Sequence, residues 1–142
     1  MITEKDIQTR IAEILTEAGF NVVASEVEEG FHKPAVFVSV YPASAVKLTC
    51  GGATEEKTDT VEIKYIPALE TVEDCVYAAD IMKRLFFYRS FDIQDRHLTI
   101  QEIEFEVEKN VLYVYFDLSF IQPVESDEEY EPMEILELRG NV

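Results

Sequence analysis

The chain has 142 residues, 47% of them hydrophobic, which suits a single domain with one core and argues against wholesale disorder. Lys plus Arg is 12 and Asp plus Glu is 29, so the formal net charge is −17. Such a charge repels phosphate backbones and anionic membranes, which argues against general nucleic-acid binding. No apolar run approaches the ~20 residues that a bilayer requires, and the N-terminus has no signal-peptide pattern. We therefore expect a protein made and used in a cytoplasm.

The first predicted element is an amphipathic helix from Thr3 to about Ala18. Thr3 can cap this helix, with Asp6 three residues later in a variant of the capping box. Gly19 follows the last turn, where a left-handed residue is expected. The apolar stripe of the helix consists of Ile7, Ile11, Leu15 and Ala18.

The next predicted elements are strands, after a short strand over 21–27 and a charged turn over 27–34. Ala35–Tyr41 is rich in Val and Phe and lies between prolines, which remove ladder donors at its ends. Lys57–Ile66 alternates apolar and polar residues. Between these strands, Ala43–Glu56 is interpreted as a long polar loop, and loops of this length are usually functional or mobile. The candidate interface residues of this loop are Leu48, Cys50, Gly51 and Gly52.

A second predicted helix begins at Thr71, with Asp74 three residues later. Its apolar face comprises Cys75, Ala79, Met82 and Phe86, so we expect it to pack on a sheet. Basic residues gather near its C-terminal end, namely Lys83, Arg84 and Arg89, and Arg96 follows. They either complement the helix dipole or form a patch that meets an acidic face of a second subunit.

The most informative segment is a predicted hairpin whose two-residue turn is Lys109-Asn110. This turn sets the register, and every apolar residue then faces the core: Val107 pairs with Leu112, Phe105 with Val114, and Ile103 with Phe116. The outer face carries Glu102, Glu104, Glu106 and Glu108 opposite Tyr113, Tyr115 and Asp117. A row of this kind is normally a solvated face, and an electrostatic surface role is the main alternative.

The residues after Val124 form an acidic extension, so we expect a domain over 1–123 and an extension over 124–142. The extension is either disordered or adds a strand to its own or a neighbouring sheet, with Tyr130 and Ile135 as interface candidates.

Catalytic and metal-binding residues are not evident in the sequence. His32 and His97 have no second His or Cys at ligand spacing, so we interpret both as surface histidines. We interpret Cys50 and Cys75 as reduced thiols. The Gly51-Gly52 pair lacks the Lys-Ser/Thr of a phosphate loop. We therefore expect no enzyme activity, metal or cofactor, and a structural or binding role.

The segment Glu26–Val38 resembles the tail terminator, or tail completion, proteins of long-tailed phages and phage tail-like particles. Similar strand ends occur at Val40-Tyr41-Pro42 and Tyr65-Ile66-Pro67, and a similar helix at Thr71–Met82. The resemblance covers roughly residues 1–122. It implies an α+β fold in which two helices pack on one face of a mixed, mostly antiparallel sheet. The order of elements read above, α-β-β-β-α-β-β, agrees with that fold.

The resemblance also implies a hexameric ring at the head-proximal end of the tail tube. The ring stops tube polymerisation and presents a surface to head-completion proteins, and in contractile tails it also meets the sheath. The acidic row at 102–108 is then a candidate lining for a lumen through which DNA passes without sticking. Such a protein would assemble in the host bacterial cytoplasm and end in the particle.

Alternatives from other classes are an acidic DNA mimic and a metal-dependent enzyme. A mimic blocks a nuclease or repressor, and it needs carboxylates in two rows on a convex surface. An enzyme needs carboxylates that converge within about 4–5 Å of one point.

Overall fold

The computed structural model describes residues 2–23, 32–48, 54–69 and 71–123. The helices are α1 (Glu4–Glu17) and α2 (Val72–Met82), and α2 continues into a π-helical turn, Lys83–Phe87. The strands are β1 (Val22–Val23), β2 (Ala35–Lys47), β3 (Thr54–Ile66), β4 (Phe91–Ile93), β5 (Arg96–Leu98), β6 (Ile103–Glu108) and β7 (Val111–Pro123). The predictions for 24–31, for Cys50, Gly51 and Gly52, and for 124–142 lie outside the described residues.

The main sheet has the order β1-β2-β3-β7-β6. The β1–β2 pair is parallel and the other pairs are antiparallel. Both helices pack on one side, which we call the helix face: α1 lies against β1 and β2, and α2 lies against β7 and β6. The hydrophobic core lies between the two helices and the helix face of the sheet. It consists of alternate residues of each central strand and one stripe of residues from each helix. The α+β class with two helices on a mostly antiparallel sheet is confirmed.

Both predicted helix starts are confirmed by their caps. The backbone N–H of Thr3 donates to Asp6 Oδ2 over 2.9 Å, and the Asp6 N–H donates to Thr3 Oγ1 over 3.2 Å, which is a complete capping box. In α2 the Asp74 N–H donates to Thr71 Oγ1 over 3.2 Å. Gly19 follows α1 with φ +100°, the left-handed conformation that ends a helix.

The predicted loop over Ala43–Glu56 is wrong in its described part. The strands β2 and β3 continue to Lys47 and Thr54, well past the predicted ends at Tyr41 and Lys57. Pro42 does not end β2, because β2 is an edge strand here and an edge strand tolerates a missing donor. A register shift between Pro42 and Ser44 absorbs one extra residue as a β-bulge.

These extensions build an arm that continues the sheet beyond the ladders of β1 and β6. We define the arm as Tyr41–Lys47 of β2 with the following Leu48, Thr54–Thr60 of β3 and Asp117–Pro123 of β7. The ladders β2–β3 and β3–β7 run through its whole length. Residues 41–48 are all exposed, whereas Asp59, Leu118, Phe120 and Gln122 of the arm are buried. The β2 part of the arm therefore adds sheet area with little core.

The predicted β6–β7 register is confirmed for the five pairs from Ile103–Phe116 to Val107–Leu112, and the predicted Glu102–Asp117 pair lies outside the ladder because β6 begins at Ile103. Its turn residues Lys109 and Asn110 have φ of 53° and 63°, the left-handed values of a tight hairpin. Phe105 and Val107 lie on the core side, as the register predicts, yet they remain 38% and 41% exposed. The reason is that β6 is the edge strand and the helices cover its face incompletely.

Candidate interaction surfaces

The side of the sheet opposite the helices, which we call the open face, is polar and aromatic. Glu104 lies directly opposite Tyr115, and Glu106 lies opposite Tyr113, as the hairpin register predicts. Strand β3 continues this face with Glu62, which pairs with Tyr115. The described part of the open face is therefore a surface where carboxylates alternate with phenol groups.

Hydroxyl groups extend the open face toward the arm. The Thr60 hydroxyl donates to Asp117 Oδ1 over 2.8 Å, and the hydroxyls of Thr58 and Ser119 lie 2.8 Å apart. A cavity of about 580 Å³ borders this region, and it is lined by Thr60, Thr99, Gln101, Glu102, Glu104, Tyr115, Phe116, Asp117 and Ser119. The cavity collects carboxylates and hydroxyls, which suits polar or cationic groups better than apolar ones.

Burial and negative charge on this face both act on the phenol group of a tyrosine. Partial burial raises the pKa of Tyr115, and the carboxylates of Glu62 and Glu106 raise it further because they oppose a phenolate. The four glutamates proposed as lumen lining are all exposed: Glu102, Glu104, Glu106 and Glu108. Their role in a lumen stays a prediction.

The predicted basic group does not form one isolated patch. Arg84 pairs with Asp80 over 2.8 Å, and Lys83 lies 5.4 Å from the centre of the Tyr88 ring. Arg89 instead lines a cleft of about 500 Å³ with Arg10, His97 and acidic residues. Each basic residue thus has local neighbours, and contact with a second subunit stays a prediction.

A buried polar cluster, which the sequence reasoning missed, joins α1 to the arm. Lys57 Nζ lies 2.6 Å from Glu4 Oε2 and 3.9 Å from Asp59 Oδ2. The side chain of Asp59 is 0% exposed, and neither carboxylate oxygen has a hydrogen-bond partner. Burial raises the pKa of Asp59 to about 6, with Glu4 acting in the same direction and Lys57 opposing it. The hydrogen bond from Lys57 lowers the pKa of Glu4.

Gln122 completes this junction from β7. The Ile2 N–H donates to Gln122 Oε1 over 3.3 Å, and Gln122 Nε2 donates to Glu55 Oε2 over 3.0 Å. The start of α1 is therefore tied by polar contacts to both β3 and β7 where the arm leaves the core.

A family model for phage tail terminator proteins matches residues 6–131. The chain belongs to the phage tail terminator family. The match covers most of the chain and every described helix and strand except the first two residues of α1. A search of curated proteins found no match.

Phage tail terminators form a family of structural proteins of the phage particle. His97 is exposed in β5 and its Nδ1 lies 2.7 Å from Asp92 Oδ1, while Cys75 is a buried free thiol that lies 3.4 Å from the Asn110 carbonyl oxygen. Burial raises the pKa of the Cys75 thiol. Across residues 2–23, 32–48, 54–69 and 71–123, no cluster of His, Cys, Asp and Glu has the makings of a metal site. The helices described in these ranges are too short or too polar to span a membrane.

Proposed function

We propose that this terminator forms a hexameric ring on the head-proximal end of a tail tube. The ring stops polymerisation of the tube protein and offers its other side to head-completion proteins. The observation that carries this proposal is the family match over residues 6–131. The sheet supports it, because a sheet covered by helices on one face leaves the other face free for partners.

We further propose that the glutamates on β6, Glu104, Glu106 and Glu108, line the lumen of the ring together with Glu102 just before that strand. A lumen that passes DNA must not bind phosphate, and a row of carboxylates repels it. Glu104 and Glu106 are exposed on an edge strand, and the same face carries Glu62. Among the surfaces of the described residues, the open face is therefore the one best suited to face the DNA.

The first experiment mixes the purified protein with its tube protein and images the mixture by negative-stain electron microscopy. We expect six-fold caps at one end of each tube, and tubes that are shorter and more uniform than those grown alone. A protein that neither caps tubes nor limits their length would contradict the proposal. Binding to a nuclease or repressor in that case would favour the DNA-mimic alternative.

The lumen proposal has a separate test in assembled particles. Glu104→Lys with Glu106→Lys should leave caps intact and reduce DNA delivery, because the lumen would then attract phosphate. A matched control is Glu13→Lys with Glu17→Lys, since both of these residues are exposed on α1, away from the open face. Equal DNA delivery by both double variants would contradict the lumen role.

A further inference from the structure

Strand β7 has an outer backbone edge that is open along the arm. Up to Phe116, β7 pairs with β3 on one side and with β6 on the other. Over 117–123 it pairs with β3 alone among the described strands, because β6 begins at Ile103. The outward N–H and C=O groups of this stretch therefore offer pairing positions to a further strand. We call the outer side of residues 117–123 the open β7 edge.

The open β7 edge lacks the bulge and the internal proline that commonly protect an edge strand. The other edge of the arm, in β2, carries Pro42 and a register shift between Pro42 and Ser44. The β3–β7 ladder runs without a register shift, and the proline of this stretch is its last residue, Pro123. Ile121 on this edge is 51% exposed. A regular edge with an exposed apolar side chain favours the addition of a strand.

The sequence that follows β7 contains a segment suited to this edge. In a strand over 133–139, Met133 and Ile135 fall on one side, and Leu136 and Leu138 fall on the other. Residues 124–132 connect this segment to β7, and neighbouring strands lie only about 4.8 Å apart, so the segment can return antiparallel to β7. Because it is tethered to the edge, its effective concentration there exceeds that of a second copy in dilute solution.

One register matches the two segments residue by residue. The register with Ile135 opposite Ile121 pairs apolar residues with apolar residues on both faces of the sheet. Its other pairs are Leu136–Phe120, Leu138–Leu118, Arg139–Asp117, Glu134–Gln122 and Glu137–Ser119. No two carboxylates then lie directly opposite each other. A shift of two residues in either direction places Glu137 opposite Ile121 or Glu134 opposite Phe120, so this register is preferred.

The acidic cavity of about 580 Å³ lies at the end of this register. It lies where the chain enters β6, and its carboxylates belong to Glu102, Glu104 and Asp117. None of the described residues that line it is a cation. Arg139 is the only Lys or Arg in 124–142, and the register places it opposite Asp117, on the open face that carries the cavity. A guanidinium group beside carboxylates gains both charge attraction and hydrogen bonds.

We propose that residues 133–139 of this chain add a strand to the five-stranded sheet, antiparallel to β7 along its open edge, with Arg139 in the acidic cavity. The added strand continues the line of β6 and covers an edge that could otherwise pair with another chain. This segment lies beyond the family match, which ends at residue 131, and the proposal does not depend on ring formation.

Engineered disulfide bonds test the register in the full chain. The background is Cys50→Ser, which leaves the buried Cys75 as the remaining native thiol. The test pair is Ile121→Cys with Ile135→Cys, and the control pair is Ile121→Cys with Leu138→Cys. In the proposed register the test pair is directly opposite, whereas Leu138 is three residues further along and on the other face, beyond disulfide reach. Circular dichroism checks that each variant is folded.

With oxidised glutathione, we expect an intramolecular bond in the test pair and free thiols in the control pair. Non-reducing electrophoresis and peptide mass spectrometry detect both. Equal bonding in the two pairs, or none in either, would contradict the proposal. A bond between two chains would assign the edge to a second copy and would also overturn it.

Hydrogen–deuterium exchange tests the strand without added cysteines. In the wild type, we expect the amides of 134–138 to exchange at least about tenfold more slowly than in an unstructured peptide. Leu136→Pro removes a ladder donor, so it should abolish this protection and speed exchange of the outward amides of β7. Glu129→Pro, in the connection, is the matched control and should change neither. Unprotected wild-type amides, or equal effects of the two proline variants, would overturn the proposal.

The role of Arg139 has its own comparison in the same exchange experiment. Arg139→Glu should reduce the protection of 134–138, because it adds a carboxylate to an acidic cavity, and Arg139→Lys should retain it. An Arg139→Glu protein as protected as the wild type would contradict the placement of this side chain in the cavity.

Discussion

Asp59 lies directly opposite Pro42 in the β2–β3 ladder, at the step where β2 gains its extra residue. On its other side Asp59 pairs with Leu118 of β7. A carboxyl group is thus enclosed between two apolar side chains at the base of the arm. Among the described residues, Lys57 is the one cation within ion-pair distance of Asp59, and that ammonium is already shared with Glu4.

Replacing Asp59 with Asn should stabilise the protein at pH 8. The folded pKa of Asp59 is raised from 3.8 to about 6, so the ionised form is disfavoured by about 3 kcal/mol. The contribution of Asp59 to stability is therefore full below pH 3.8 and is lost as the pH rises through 6. We expect Asp59→Asn to add about 1–3 kcal/mol at pH 8 and almost nothing at pH 4, measured by urea unfolding.

The matched control for this substitution is Asp95→Asn, because the Asp95 side chain is 89% exposed. Its effect should stay within about 0.5 kcal/mol at both pH values, as for most surface substitutions. If Asp59→Asn instead destabilised the protein at pH 8, attraction to Lys57 would outweigh the cost of burying the carboxylate.

Replacing Lys57 with Met should have the opposite effect. It leaves the buried Asp59 and the half-buried Glu4 without their shared cation, which costs about 3 kcal/mol at pH 8. The loss should shrink as the pH falls, since Asp59 becomes neutral through pH 6 and Glu4, whose pKa is lowered by Lys57, becomes neutral below that. Urea unfolding at pH 8 and pH 5 measures both values.

The double variant Lys57→Met with Asp59→Asn tests whether the stability lost in Lys57→Met arises from this cluster. It should recover part of the lost stability at pH 8, because one of the two unpaired carboxylates is gone. Lys5→Met, an exposed lysine of α1, should change little. Equal losses for Lys5→Met and Lys57→Met would show that general charge, and not the junction, sets the effect.

The β6–β7 hairpin was predictable because two independent signals agree. The Lys109-Asn110 turn and the alternation of apolar residues both require the same register. The arm lacked the second signal. Its β2 part is exposed on both faces over 41–48, so burial does not require apolar alternation there, and Pro42 suggested a strand end.

Three other features were missed for different physical reasons. Asp59 lies two and four residues before Val61 and Ile63, so strand alternation places its side chain on the same buried face. This burial was missed because an acidic residue in an alternating strand is ordinarily expected on the solvent-exposed face. The β4–β5 hairpin was missed because it is short, and the apolar alternation in β4 is limited to Phe91 and Ile93. The π-helical turn could not be predicted from the sequence, because the buried residues Met82 and Phe86 are four residues apart, as in an ordinary α-helix.

The capping box of α1 should contribute measurably to stability. Thr3→Ala removes the acceptor of the Asp6 N–H, and loss of a threonine cap costs about 1 kcal/mol. Thr9→Ala is the control, since Thr9 is exposed within α1 and alanine has the higher helix propensity. The difference in urea midpoint at constant slope measures the effect. A Thr3→Ala protein as stable as the wild type would mean that packing and polar contacts such as Glu4–Lys57 and Ile2–Gln122 hold α1 without the cap.

The acidic open face should be detectable through Tyr115. Because the Glu106 carboxylate opposes the phenolate, Glu106→Gln should lower the pKa of Tyr115, and Glu62→Gln should do the same. Glu104→Gln is the informative control, since Glu104 lies directly opposite Tyr115 in the ladder yet is not among the groups that raise its pKa.

Nuclear magnetic resonance titration of ring-labelled tyrosine measures the pKa of Tyr115 in each variant. Added salt should reduce the difference between the wild type and Glu106→Gln, because exposed charges are screened within about 10 Å at 0.1 M salt. A larger shift for Glu104→Gln than for Glu106→Gln would show that the side chains contact straight across the ladder and not diagonally. In that case the carboxylates of the open face would be arranged as isolated Glu–Tyr pairs and not as one continuous acidic surface.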